Sequence, residues 1–187
     1  SLGGIGVDIN MGCSAPEIYK TGAGISWMIR PREETHDMIC AVRSKVKSRL
    51  SAKIRLGDED FTDEGFYSFC RMLYDCGIEQ LVIHPRTKKE KLARPPRYFY
   101  VENVAREFLG KMNVVLNGNV KDVSSFNAAL RTAPSVSAVM IARMSAQKPW
   151  IFARLKRAAG DYTDDKPLKI DRLAVGLEYI QNLRTRS

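Results

Sequence analysis

Apolar and polar positions along this chain change period again and again. Five runs are short, apolar and bounded by Gly, Pro, Asn or charge: Ile5–Ile9, Ala52–Leu56, Gln80–His84, Asn113–Leu116 and Ala138–Ala142. Such runs read as strands. Between them the period lengthens to that of a helix. A long helix is expected from Glu33 to Arg49, with Pro31 just before it, acids in its first turns and cations at its end, as the helix dipole favours. A second starts at Thr62, carries Phe66, Phe69, Leu73 and Cys76 at helical spacing, and stops at Gly77. Others are expected from Tyr98 to Leu109, from Asp122 to Arg131, and from Pro149 through Leu155. Strands alternating with helices mean βα units and a parallel sheet.

The stretch from Gly160 to Pro167 breaks this pattern and reads as a polar linker. After it Asp171 caps a last helix with Leu173, Leu177, Ile180 and Leu183 on one face. The expected organisation is therefore one α/β domain over residues 1–160, then residues 161–187 as linker and first helix of a helical domain. The chain opens on Ser-Leu-Gly-Gly and enters a strand at once, so it is expected to be a fragment of a longer protein. No internal repeat or low-complexity stretch occurs.

Composition narrows the picture. The 187 residues are 44% hydrophobic, enough for a proper core. No run of about 18 apolar residues occurs, so no membrane helix is expected, and no signal-peptide pattern leads the chain. Net charge is +9, which suits a polyanionic partner such as nucleic acid. The four cysteines, Cys13, Cys40, Cys70 and Cys76, form no CxxC pair. No metal site is expected from that spacing, and a reduced, cytoplasmic setting fits best. Cys70 and Cys76 fall in one amphipathic helix and are expected in the core.

The chemistry gathers where strands end. Asn10 and Cys13 follow the first strand, Lys53 lies in the second, and His84 closes the third. Asn117-Gly118-Asn119 follows the fourth, and Ala142-Arg143 the fifth. In a parallel β/α barrel that is the catalytic end, and the loops after the last two strands often bind phosphate. Gly118 lets a backbone approach closely, and Arg143 offers a bidentate fork. After the third strand come Arg86, Lys88, Lys89, Lys91, Arg94 and Arg97 against a single acid, Glu90. A loop so charged beside the site is expected to contact RNA.

Taken in order, Asp8-Ile9-Asn10-Met11-Gly12-Cys13, Gly22-Ala23-Gly24, Lys53-Ile54-Arg55-Leu56-Gly57, His84-Pro85-Arg86-Thr87, Asn117-Gly118-Asn119, Ala142-Arg143 and Lys148-Pro149-Trp150-Ile151-Phe152 resemble the tRNA dihydrouridine synthases. The resemblance covers residues 5 to 157, and Asn-Met-Gly-Cys is its most specific piece. It implies a TIM-type (β/α)8 barrel holding FMN, of which this chain carries about strands four to eight, followed by a helical domain. It implies reduction of the C5–C6 double bond of a uridine in tRNA, with NADPH as reductant. Cys13 would then deliver the proton to C5, and a thiol is mostly protonated at neutral pH. Lys53 would lie by the flavin N1–O2 edge, and Asn10 and His84 would hold the base or the flavin edge. Asn117, Gly118, Asn119, Ala142 and Arg143 would hold the flavin phosphate. Arg86, Lys88 and Lys89 would meet the tRNA.

The chain departs from the family pattern at four places. Ser14-Ala15 separate Cys13 from Pro16, Pro85 follows His84, Asn119 stands for Asp, and Ala142 stands for Gly. Two other readings stay open: a different FMN-barrel oxidoreductase acting on a free pyrimidine or an enone, and a catalytically inactive RNA-binding fragment. A five-stranded arc is also expected to self-associate or aggregate through its open edges.

Overall fold

A computed structural model describes residues 6–90, 93–160 and 170–184. Its five strands are β1 (Val7–Met11), β2 (Leu50–Ile54), β3 (Gln80–Ile83), β4 (Asn113–Asn117) and β5 (Ala138–Met140). All pair in parallel, in the order β1-β2-β3-β4-β5. Spatial order equal to chain order, with a helix on each crossover, is singly wound. Such a sheet is an arc of a (β/α)8 barrel; a doubly wound sheet would reverse direction at a switch point. The α/β class and the partial barrel are as expected. Among the described residues β1 and β5 each pair on one side.

Nine helices lie among the described residues: α1 (Pro16–Lys20), α2 (Ser26–Ile29), α3 (Arg32–Lys45), α4 (Asp63–Asp75), α5 (Tyr98–Glu107), α6 (Val123–Thr132), α7 (Arg143–Gln147), α8 (Ile151–Ala158) and α9 (Arg172–Arg184). Thr62 caps α4 as expected, its hydroxyl accepting from the Gly65 N–H at 3.1 Å. Asp122 caps α6 in a reciprocal box with Ser125. The long helix α3 ends at Lys45, short of Arg49. Val46 is already extended, and the Arg43 guanidinium turns back to take the carbonyls of Val46 and Ser48. Helices α1, α2 and α7 have four or five residues each, too few to show a period, and were not expected.

Strand register sets the two faces of the sheet. Met11, Ile54, Ile83 and Leu116 are aligned neighbours and fully buried under the helices. Phe66, Phe69 and Leu73 of α4 and Val101 and Val104 of α5 complete that core. The opposite face aligns Asn10, Lys53, Val82, Val115 and Ala138 across all five strands. Polar groups thus enter this inner face at β1 and β2. The first strand runs two residues later than expected, so Asn10 sits in the ladder.

The chain divides into two compact units, residues 1–141 and 142–187. The boundary expected at residue 160 falls inside the second, which holds α7, α8 and α9. Asp171 caps α9 as expected, its carboxylate accepting from the N–H groups of Leu173 and Ala174 at 2.9 and 3.0 Å. Leu173, Leu177 and Ile180 of that helix are exposed. Ile5, Lys91, the linker residues 161–167 and the Leu183 side chain, named in the expectations above, lie outside what is described. No described helix is long and apolar enough to cross a membrane.

Candidate active site

At the C-terminal ends of β1 and β2 a cavity of about 450 Å³ is lined by Asp8, Asn10, Gly12, Cys13, Ser14, Ala15, Lys53 and Arg55. Asn10 and Lys53 are register partners. The Asn10 carboxamide oxygen accepts from the N–H groups of Gly12 at 3.2 Å and Cys13 at 3.0 Å. This Asx-type turn ends the strand and fixes where the Cys13 thiol stands. Asn10 was expected to meet substrate, yet its oxygen serves the loop. The side chain also lines the cavity.

Lys53 is largely taken out of water. Burial lowers its pKa, and the Arg55 charge adds to the effect; Asp8 and Cys13 oppose it. Arg55 was missed among the candidate residues. Its Nε donates to the Gly12 carbonyl at 2.8 Å and its Nη1 reaches the Thr87 carbonyl at 3.5 Å, joining the loops after β1 and β3. Burial and the nearby Arg86 lower its pKa as well. The signal was present in Lys53-Ile54-Arg55, because residues two apart share a strand face. Two half-buried cations in one cavity favour an anionic or electron-rich ligand.

A second cluster forms at the ends of β3 and β4. His84 is buried, and its Nε2 lies 2.9 Å from the Arg86 guanidinium. An arginine can only donate, so Nε2 accepts and the neutral ring carries its proton on Nδ1. Gly118, at φ +121°, lies against this ring: a Cβ there would stand 2.7 Å from His84 Cδ2. The following Asn119 is also left-handed, at φ +56°. The Asn117 amide donates to the Met140 carbonyl at 2.9 Å, and the Tyr98 hydroxyl to the Gly118 carbonyl at 2.6 Å. Tyr98, missed in the sequence, thus pins the turn. Ala142 and Arg143 belong to the second unit, where they begin α7 and are exposed.

The basic loop needs correction. Arg86 is only 3% exposed and is spent on His84 and the Arg94 carbonyl, so it is not an RNA-facing cation. The Lys88 ammonium pairs with Asp58 at 2.8 Å and lies over the Tyr19 ring. Lys89 pairs with Glu59 at 2.8 Å. Arg97 and Arg94 share Glu90. The loop appeared to hold one acid because Asp58 and Glu59 reach it from the end of β2.

Comparison with known proteins now decides the family. The family model "Dihydrouridine synthase (Dus)" matches residues 2–186. This chain belongs to the dihydrouridine synthase family. A tRNA-dihydrouridine synthase B of Xanthomonas axonopodis pv. citri is 30% identical over 149 residues, covering 80% of this chain and 43% of the relative. A tRNA-dihydrouridine(16) synthase of Ralstonia nicotianae is 29% identical over 186 residues, covering 97% and 54%. A tRNA-dihydrouridine(47) synthase [NAD(P)(+)]-like protein of Oryza sativa subsp. japonica is 27% identical over 176 residues, covering 92% and 25%. The chain thus spans from a quarter to about half the length of these Dus relatives.

Proposed function

We propose that this chain carries part of the site of an FMN- and NADPH-dependent tRNA dihydrouridine synthase, with Cys13 as the proton donor. The observation that carries the reading is the cavity that brings Cys13, Asn10, Lys53 and Arg55 together at the ends of β1 and β2. A flavin fits these residues. Lys53 and Arg55 supply positive charge for the electron-rich N1–O2 edge. The left-handed pair Gly118-Asn119, beside His84, lets a phosphate approach backbone N–H groups. FMN held there would supply, with NADPH as its reductant, the hydride for C6 of the uracil.

The chain's own residues do the rest. The Asn10 oxygen holds the Cys13 loop, so the thiol is presented from a fixed turn. Cys13 gives its proton to C5 as the double bond is reduced, and solvent returns a proton to the thiolate. Arg55 ties that loop to β3 and keeps the cavity wall in place. In the loop after β3, Lys89 and Arg94, with side chains 68% and 77% exposed, exchange their partners Glu59 and Glu90 for phosphates of the tRNA backbone. The cytoplasmic setting expected from the reduced cysteines accords with this substrate.

The test uses full-length protein carrying this segment, with tRNA and NADPH. The expected result is a tRNA mass gain of two hydrogens per modified uridine. Cys13→Ala should keep flavin and still oxidise NADPH while forming little dihydrouridine. Unchanged product yield would remove Cys13 from the mechanism. Reduction of free uracil, with tRNA left intact, would overturn the substrate.

A further inference from the structure

Away from the cavity, three metal-binding side chains converge between α3 and α4. His36 and Cys40 stand four residues apart on α3, so they share one helix face. Cys76 is the C-cap of α4. Cys40 Sγ is 3.5 Å from Cys76 Sγ and 3.7 Å from His36 Nε2, and the three donor atoms all lie within 4.8 Å of one another. A tetrahedral zinc centre with Zn–S near 2.3 Å and Zn–N near 2.0 Å places its donors roughly 3.5–3.8 Å apart. Two of the three edges already have that length. None of the four cysteines is in a disulfide.

The surroundings suit a cation. The Asp37 carboxylate accepts a hydrogen bond from His36 Nδ1–H at 3.0 Å, which turns Nε2 towards Cys40 as the ligating nitrogen. Asp37 and Asp75 both place negative charge near Cys76, which favours a cation there. The Met72 thioether lies 3.8 Å from that sulfur, one helical turn back on α4. The cluster grades from exposed His36 through half-buried Cys40 to buried Cys76, so an ion can reach it from solvent. Because α4 runs back against the strands, Cys76 lies towards their N-terminal ends, opposite Cys13.

We propose that His36, Cys40 and Cys76 form a binding site for a thiophilic d10 cation, Zn(II) or Cu(I), that clamps α3 to α4. Thiolate and imidazole together select such ions over Mg(II) or Ca(II). Binding exchanges the two thiol protons for the metal and involves no change of oxidation state. Met72 separates the two ions: a thioether is a good donor to Cu(I) and a poor one to Zn(II). Since this site serves structure and not the proposed reaction, it stands or falls apart from that reading.

The test titrates the reduced full-length protein carrying this segment anaerobically with Co(II) as an optical stand-in for Zn(II), and with Cu(I) against a chromogenic chelator, each set against the Cys40→Ser, Cys76→Ser double variant. One equivalent should bind, with thiolate-to-metal charge-transfer absorption, and should raise the melting temperature as free metal rises. His36→Asn, at an exposed position, and Cys40→Ser should each weaken binding by more than about 100-fold. Asp37→Asn, an outer-shell change, should cost roughly 10- to 100-fold. Cys13→Ser should leave the stoichiometry at one. Met72→Leu should weaken Cu(I) and spare Zn(II) if copper is the ligand, and spare both if zinc is. Binding no tighter than that of the Cys40→Ser, Cys76→Ser double variant would overturn the site. So would a chain that forms a Cys40–Cys76 disulfide in air and takes no metal once reduced.

Discussion

Gly24 leaves no room for a side chain beside Cys13: a Cβ on Gly24 would overlap the Cys13 carbonyl oxygen and sit 3.0 Å from Ile18 Cγ2. The next N–H, that of Ile25, donates to the same carbonyl at 2.9 Å. The loop after α1 is therefore built onto the backbone of the residue that carries the thiol. Gly24 is left-handed at φ +61°, and so is Gly110 at +74°, but Gly110 has open space around it. Gly110→Ala should cost only the roughly 1–2 kcal/mol of a left-handed alanine. Gly24→Ala should cost about 1–3 kcal/mol more, because backbone must move. Equal denaturant midpoints for the two variants would show that the Cys13 loop tolerates displacement.

Asn10 offers a way to separate positioning from contact. Asn10→Ala removes the acceptor for two N–H groups, so the Cys13 turn loses both bonds. Asn10→Asp keeps an oxygen in that place. In full-length protein, alanine should cut dihydrouridine formed per bound flavin at least about tenfold, in line with the loss of one charge-steering or positioning contact, while aspartate should recover part of it. If aspartate is as poor as alanine, the Asn10 amide nitrogen, and not the loop, is what the reaction needs.

Much of this architecture was legible because the signals are local. Five apolar runs bounded by turn residues, and helices with Thr62 and Asp122 at their starts, need no tertiary knowledge. What failed needed spatial adjacency. Asn10 was placed after the first strand, yet it pairs with Lys53 in the ladder and its oxygen builds the turn that follows. The loop after β3 was read as a free cationic surface, yet Lys88 is answered by Asp58, 30 residues earlier in the chain, because the ends of β2 and β3 are neighbours. The absence of CxxC hid His36, Cys40 and Cys76, since their pairing spans two helices. The only trace in the sequence is i, i+4 spacing, at His36–Cys40 and Met72–Cys76.

Glu90 should give the protein an acid-sensitive loop. Burial alone would raise its carboxyl pKa. The Thr87 N–H at 2.9 Å and the Arg97 guanidinium at 2.8 and 2.9 Å outweigh that and hold it below the ordinary range. A depressed folded-state value means the carboxylate stabilises the fold fully above the unfolded value of about 4.3. That contribution is lost as pH falls through the folded value. Wild type should therefore lose more stability than Glu90→Gln between pH 5 and pH 3, when urea midpoints are compared. Parallel curves for the two proteins would mean that Glu90 does not anchor the loop.

Lys53 is where stability and the proposed chemistry should part. Its charged form is disfavoured in the folded state, first by burial and then by Arg55, with Asp8 and Cys13 only partly offsetting them. A lysine with a lowered folded pKa binds its proton more weakly folded than unfolded. The charge therefore costs stability at neutral pH, and the cost fades as pH rises towards the unfolded value of about 10.4. Lys53→Met has a stem of similar length and no charge to bury. It should raise the denaturant midpoint at pH 7, and the gap to wild type should narrow as pH approaches 10. The same variant should bind FMN more weakly in full-length protein, since the cavity loses the cation proposed to face the flavin ring. A Lys53→Met protein less stable than wild type at pH 7 would show instead that Asp8 compensates the ammonium in full.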